Sequence, residues 1–274
     1  MFSRFKIQAQ ELMPYVHDIG AGIVPDVYSE DEESVLRRAR EIILAASHNG
    51  VVEADDLKNG FFPTAFRNQY QVFISHSYKD IEIVKELANK LSKNFGVRCF
   101  VDSMVWGSMY HLLKEIDNKY CLLPSKSYDY DKRNSSTAHV HAMLSIALME
   151  MIEQCECCIF VQSENSIIPS LELNSISKED KTFSPWIYEE INYMNMLQPH
   201  KSQRLLKLFS SLNENAQREI NSHTEHPVPI VHGLNLDKFT KVTRSELPYL
   251  NDGNDWLNIL YKKAGLIKQT TRFL

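Results

Sequence analysis

A doubly wound α/β domain is the fold class this sequence predicts, and three observations predict it. Val72-Phe73-Ile74 is a short, β-rich apolar run. Ile83, Val84, Leu87, Ala88 and Leu91 then recur at helical spacing, and Phe95-Gly96 closes that segment. Val97-Arg98-Cys99-Phe100-Val101 is a second β-rich run, stopping at Asp102-Ser103. Strand, helix and strand with short connections make a parallel pair, since a parallel neighbour is reached only by a crossover, usually a helix.

The remaining elements extend this pattern. Cys157 to Val161 reads as a third strand, Pro185 to Met196 as a helix, Val228-Pro229-Ile230-Val231 as a fourth strand, and Asp255 to Lys263 as a closing helix. Residues 1–68 read as a helical N-terminal extension before an α/β domain over 69–274. In that extension Ser29-Glu30-Asp31-Glu32 has a capping-box pattern, Val35, Ala39, Ile42, Ile43 and Ala46 follow at helical spacing, and Asn49-Gly50 ends the run. A long connection over about 108–155 separates the second and third strands. It holds one helix marked by Leu112, Leu113 and Ile116, a polar aromatic loop from Ser127 to Asn134, and a second helix from Thr137. A connection this long is either a surface excursion or a pocket lining, and His139 and His141 lie in it. A polar, helix-like stretch runs from Lys201 to Asn221.

Composition bounds the function. The chain has 274 residues, a net charge of −5 and 43% hydrophobic residues, ordinary for a globular protein. A pI near 6.1 argues against broad nucleic-acid binding, which needs a basic surface. No apolar run approaches the ~18 residues that span a bilayer, and Gln8-Ala9-Gln10-Glu11 interrupts the place where a signal peptide is apolar. A cytoplasmic protein without membrane or nucleic-acid partners is expected. Five cysteines without a regular framework read as reduced thiols. Cys155, Cys157 and Cys158 are too closely spaced for an ordinary zinc site, and no metal is expected.

No Walker loop, glycine-rich dinucleotide fingerprint or nucleophile elbow is present. Topology points elsewhere, because ligands of such sheets bind beyond the carboxyl ends of the strands. Ser75 to Asp80, Asp102 to Gly107 with Trp106, and the segment from Ser163 onward occupy that position. Ser75-His76-Ser77 reads as hydrogen-bonding groups at a strand end, with Asp80 capping the next helix. On the helix from Pro185, capped by Ser184, Trp186 and Glu190 are four apart and share a face, while Glu189 is turned away by about 100°. Ile187, Ile191 and Met194 form the neighbouring apolar stripe. Spacing leaves two readings open for Glu190: an exposed helix acid, or a carboxylate at the edge of the buried stripe that wants a partner.

Three segments together resemble a Toll/interleukin-1 receptor (TIR) domain. They are Val72-Phe73-Ile74-Ser75-His76-Ser77-Tyr78-Lys79-Asp80, then Cys99-Phe100-Val101-Asp102, and finally Ser184-Pro185-Trp186 with Glu190-Ile191. The likeness runs from Val72 to about Met194 less the long connection, and the overall pattern is closer to bacterial TIR proteins than to receptor tails. The resemblance implies a flavodoxin-like fold with a central parallel sheet. It also implies cleavage of the nicotinamide–ribose bond of NAD+ as substrate, without a cofactor. On the same footing Glu190 is the catalytic residue, and Phe73, Ser75, His76, Ser77, Asp102, Trp106, Ser163 and Trp186 are substrate-binding. An ADP-ribose-derived, linear or cyclic product signalling to a separate effector in anti-phage defence is implied, as is self-association through the domain. Two competing readings are a TIR assembly module without chemistry and a nucleoside deoxyribosyltransferase-like enzyme with a covalent ribosyl intermediate.

Overall fold

The computed structural model describes residues 3–18, 32–48, 51–61, 70–101, 103–168, 180–197, 232–247 and 256–266. The chain divides into two compact units. One comprises Met1–Asp26, Asn68–Val101 and Ile152–Leu274; the other comprises Val27–Arg67 and Asp102–Met151.

The first unit is built on a parallel sheet of β1 (Ser3–Gln8), β4 (Val72–Ser75), β5 (Cys99–Val101), β6 (Cys157–Gln162) and β9 (Thr240–Lys241), in the spatial order β5-β4-β6-β1-β9. Register fixes which side chains share a face. Phe73 lies beside Phe100 and Cys158, Arg4 beside Cys158, and Ser75 beside Phe160, which in turn neighbours Lys6. These residues make one face. Phe5, Ile7, Ile74 and Ile159 alternate with them and make the other.

Helices cover both faces, as a parallel sheet requires. On the Phe5 face, Leu12 of α1 (Ala9–Asp18), Leu87 of α4 (Ile81–Phe95) and Trp256 and Leu260 of the closing helix α8 (Trp256–Lys263) surround Phe5, Ile7 and Ile159. Trp256 Nε1 donates to the Tyr15 hydroxyl at 2.9 Å, so the two buried polar tips satisfy each other. Helix α4 ends as its sequence dictates: Gly96 is left-handed at φ +64°, and its amide and that of Val97 bond back to Ser92 and Leu91. Helix α7 (Pro185–Met196) covers the opposite face, capped by the Ser184 hydroxyl, which accepts from the Ile187 amide. An antiparallel pair, β7 (Asp180–Thr182) with β8 (His232–Leu234), forms its own small sheet.

The first strand departs from the sequence expectation. Ser3–Gln8 is not helical flank: it is the fourth strand of the sheet, paired in parallel with β6 over six residues. Alternation carried the signal, with Phe5 and Ile7 buried and Arg4, Lys6 and Gln8 between them.

The second unit is helical. It joins α2 (Glu32–Ala45), α3 (Ala54–Phe61), α5 (Ser103–Tyr120) and most of α6 (Tyr130–Gln154), with the short hairpin β2–β3 (Ser47–His48 and Val51–Val52). The middle of the N-terminal flank and the long connection thus fold together. Arg40 and Glu115 pair through two bonds of 2.9 and 3.0 Å, and Lys58 meets Glu150 at 2.8 Å. Gly60 permits close approach of α3 to α2, since a Cβ there would stand 2.4 Å from Ile42 Cγ2. Two boundaries are corrected. Helix α6 begins at Tyr130 rather than Thr137, because the Asp129 carboxylate accepts the Lys132 amide at 3.0 Å and starts the helix earlier. Trp106, expected in a segment beyond the end of the second strand, lies within α5. The expected capping box at Ser29–Glu32, the Asn49-Gly50 stop, the stretch from Lys201 to Asn221 and the strand at Val228–Val231 lie wholly or partly outside the described residues.

Candidate functional site

Two clusters of polar side chains border the sheet, and one of them stands where α/β proteins hold ligands. The first lies beyond the carboxyl ends of β4 and β6, where the chain goes from β4 to β5 on one side and returns to β6 on the other. That reversal is a topological switch point. Here the Ser163 hydroxyl donates to Asp80 Oδ2 at 2.5 Å and accepts from the amides of Asn165 and Ser166 at 3.1 and 3.2 Å. Asn165 Nδ2 donates to Asp80 Oδ1 at 2.7 Å. Both Asp80 oxygens are therefore engaged across the strand ends. Asp80 sits at the N-cap position of α4 but makes no side-chain capping bond, which corrects its expected role: Ser163 and Asn165 take its carboxylate instead.

The second cluster lies between α7 and the sheet. Glu190 is fully buried, as are Ile187, Ile191 and Met194 beside it, so the reading of Glu190 as an exposed acid is set aside. Its carboxylate acts on the Cys158 thiol, which burial pushes up to about 12; the Arg4 guanidinium lowers that value and the Glu190 charge raises it. Arg4 reaches the last turn of α7, donating through Nε to the Met194 carbonyl and through Nη2 to the Leu197 carbonyl at 2.8 Å. A cation at a helix C-terminus meets the negative end of the dipole, and burial lowers the Arg4 pKa. Lys6, two residues on, donates to the Leu236 carbonyl at 3.2 Å. Glu189 is partly exposed and accepts from the Tyr193 hydroxyl at 2.8 Å.

The expected site residues distribute over these clusters. Phe73 is buried and stacked on Phe100 with ring centroids 5.6 Å apart. Phe73 and Ser75 lie on the sheet face that α7 covers, the face of Cys158 and Arg4. The buried Ser75 hydroxyl has no hydrogen-bond partner among the described residues. His76 is buried with Nδ1 3.4 Å from the Ile74 carbonyl, whereas Ser77 and Trp186 are half-buried. Ser163 belongs to the strand-end network. Asp102 and the Trp106 side chain lie outside the described residues. Arg4, Lys6 and Asn165 were not foreseen; the alternation Arg4-Phe5-Lys6-Ile7-Gln8 was the available signal for the first two.

Five free thiols are buried, and no group of three or more His, Cys, Asp or Glu side chains suited to a metal occurs among the described residues. No helix among them is long and apolar enough to cross a membrane. Comparison with protein-family models, curated proteins and solved structures finds no match to this chain.

Proposed function

We propose that this chain is a TIR-type enzyme that cleaves the nicotinamide–ribose bond of NAD+, with Glu190 as the essential carboxylate. The observation that carries the reading is the burial of Glu190 under α7, against the sheet face that presents Phe73 and Ser75. Burying a carboxylate is costly, and a module used only for assembly has no need of one there. The spatial order β5-β4-β6 also agrees, since it places the second, first and third strands of the TIR-like segment as a flavodoxin-type sheet does.

The chemistry suits a single catalytic carboxylate. Breaking the C1′–N bond sends its electron pair to the pyridinium nitrogen, so nicotinamide leaves neutral and needs little acid assistance. The ribose left behind is oxocarbenium-like, and a carboxylate in a water-poor site stabilises that charge and accepts from the ribose hydroxyls. Water then adds at C1′ with loss of a proton, giving linear ADP-ribose, or a nucleophile within the same molecule adds and gives a cyclic nucleotide. Ser75, His76, Ser77 and Ser163, at or beyond the strand ends, would face ribose and phosphates. Trp186 would border the nicotinamide side. A neighbouring protomer would complete the site, and the product would signal to a separate effector.

Purified full-length protein is incubated with NAD+ and the products are separated and weighed by mass spectrometry. Nicotinamide release is expected from the wild type, with loss of at least ~100-fold in Glu190→Gln and retention in Glu189→Gln. Full activity in a folded Glu190→Gln variant sinks the mechanism. Absence of nicotinamide release from the wild type, both dilute and concentrated enough to assemble, sinks the reading itself.

A further inference from the structure

The helical unit holds a cavity of about 420 Å³ that NAD+ cleavage leaves unused. Small-molecule sites commonly span about 300–1,000 Å³, so the volume is that of a modest ligand. One wall is a single face of α6, with Lys132, Ser135, Ser136, His139, Val140 and Met143 recurring at three- and four-residue steps. Polarity is segregated along that face. Lys132, Ser135 and His139 are exposed at the mouth, while Val140 and Met143 are buried and line the cavity together with Leu57 of α3 and Ile116 of α5.

Charge is segregated too. The lining includes two basic side chains and no carboxylate. Neither Lys132 nor His139 forms a salt bridge with a described carboxylate. The buried Asp117 beside this wall is already committed: it accepts from Arg133 Nε at 2.9 Å, from the Ser136 hydroxyl at 2.6 Å and from the Cys121 thiol at 3.5 Å. Those bonds fix α5 and α6 around the cavity, so the polar wall is organised before any ligand arrives. Ser135 lies one turn from Lys132 and one turn from His139, which puts a hydroxyl between two basic side chains.

We propose that this cavity binds a small amphipathic acid. Its anionic head lies at Ser135 between Lys132 and His139, and its apolar body lies against Leu57, Ile116, Val140 and Met143. A polyanion such as a nucleotide does not suit a site with two basic groups and an apolar floor. An uncharged apolar ligand leaves both basic side chains unused.

The test uses full-length protein and the dye anilinonaphthalene sulfonate, an apolar ring system with one anionic head, followed by fluorescence. Saturable one-to-one binding is expected, displaced by decanoate and much less by decanol at equal concentration. Lys132→Gln and His139→Gln should each weaken the dye about tenfold, the usual scale for losing a charge-assisted bond. Met143→Trp fills the floor and should abolish binding while the protein keeps its cooperative melt; Val140→Phe replaces it if that melt is lost. Absence of saturable binding, equal competition by decanol, unchanged affinity in both basic-residue variants, or wild-type binding by a folded floor variant would each overturn the proposal.

Discussion

The Ser163 hydroxyl donates to the Asp80 carboxylate at 2.5 Å, tying the segment after β6 to the segment after β4. Ser163 also accepts the Asn165 and Ser166 amides, so one hydroxyl both closes its own turn and bridges two strands. Ser163→Ala removes the bridge and leaves two amides without that acceptor. A cost of about 1–2 kcal/mol is expected, as for other hydrogen-bonding groups that lose a partner. Urea unfolding should show a lower midpoint with an unchanged slope. Combining it with Asp80→Asn tests the bridge itself: the double variant should lose less than the sum of the two single losses, by about 0.5 kcal/mol or more. Strict additivity would mean that the two side chains act independently.

Arg4 secures the far end of the same region. Its guanidinium meets the Met194 and Leu197 carbonyls, so the helix carrying Glu190 is held at its last turn by the fourth strand of the sheet. Arg4→Met keeps the apolar stem and removes both bonds. The expected loss is about 1.5–3 kcal/mol, the range for hydrogen bonds to charged groups, less whatever the release of a buried charge returns. Hydrogen exchange should rise first in the C-terminal turn of α7 and least in α4. Unchanged exchange in α7 would show that packing of Ile187, Ile191 and Met194 holds the helix without Arg4.

Local chemistry made some elements readable and left others hidden. Helix α7 was legible to its ends because Ser184 caps it, Pro185 opens it and Ile187, Ile191 and Met194 mark its buried stripe. Strand β6 was legible because a strand buried along its whole length is a continuous apolar run, here Cys157-Cys158-Ile159-Phe160-Val161. Strand β1 was not. Arg4 and Lys6 give it the texture of a surface segment, and their partial burial is sustained by backbone carbonyls near residues 194–197 and 236, contacts no local pattern encodes. Its pairing with β6 is likewise a relationship across some 150 residues. For Glu190, spacing narrowed the choice to the edge of a buried stripe, and only the sheet beneath α7 decided between water and the interior. The early start of α6 escaped because Asp129 sits among polar loop-formers, where its role as cap is visible only from the Lys132 amide.

Acid should loosen the closing segment of the first unit through Glu246. The Lys263 ammonium bonds this carboxylate and is the main cause holding it at about 2, against an ordinary 4.5. The Thr243 hydroxyl and amide, each at 2.8 Å, add to the effect, and burial opposes it. The sign follows from the depression: the folded state prefers the ionised form, so the stabilisation is complete above pH 4.5 and is lost as pH falls toward about 2. Glu246→Gln removes the charge, and its melting temperature should lie below that of the wild type by a constant amount near neutrality. That gap should narrow below pH 4.5 and close near pH 2. Because both partners are partly exposed, added salt should shrink the neutral-pH gap as well. A gap that persists unchanged to pH 2 would mean that Glu246 stabilises the turn through hydrogen-bond geometry alone, with its ionisation playing no part.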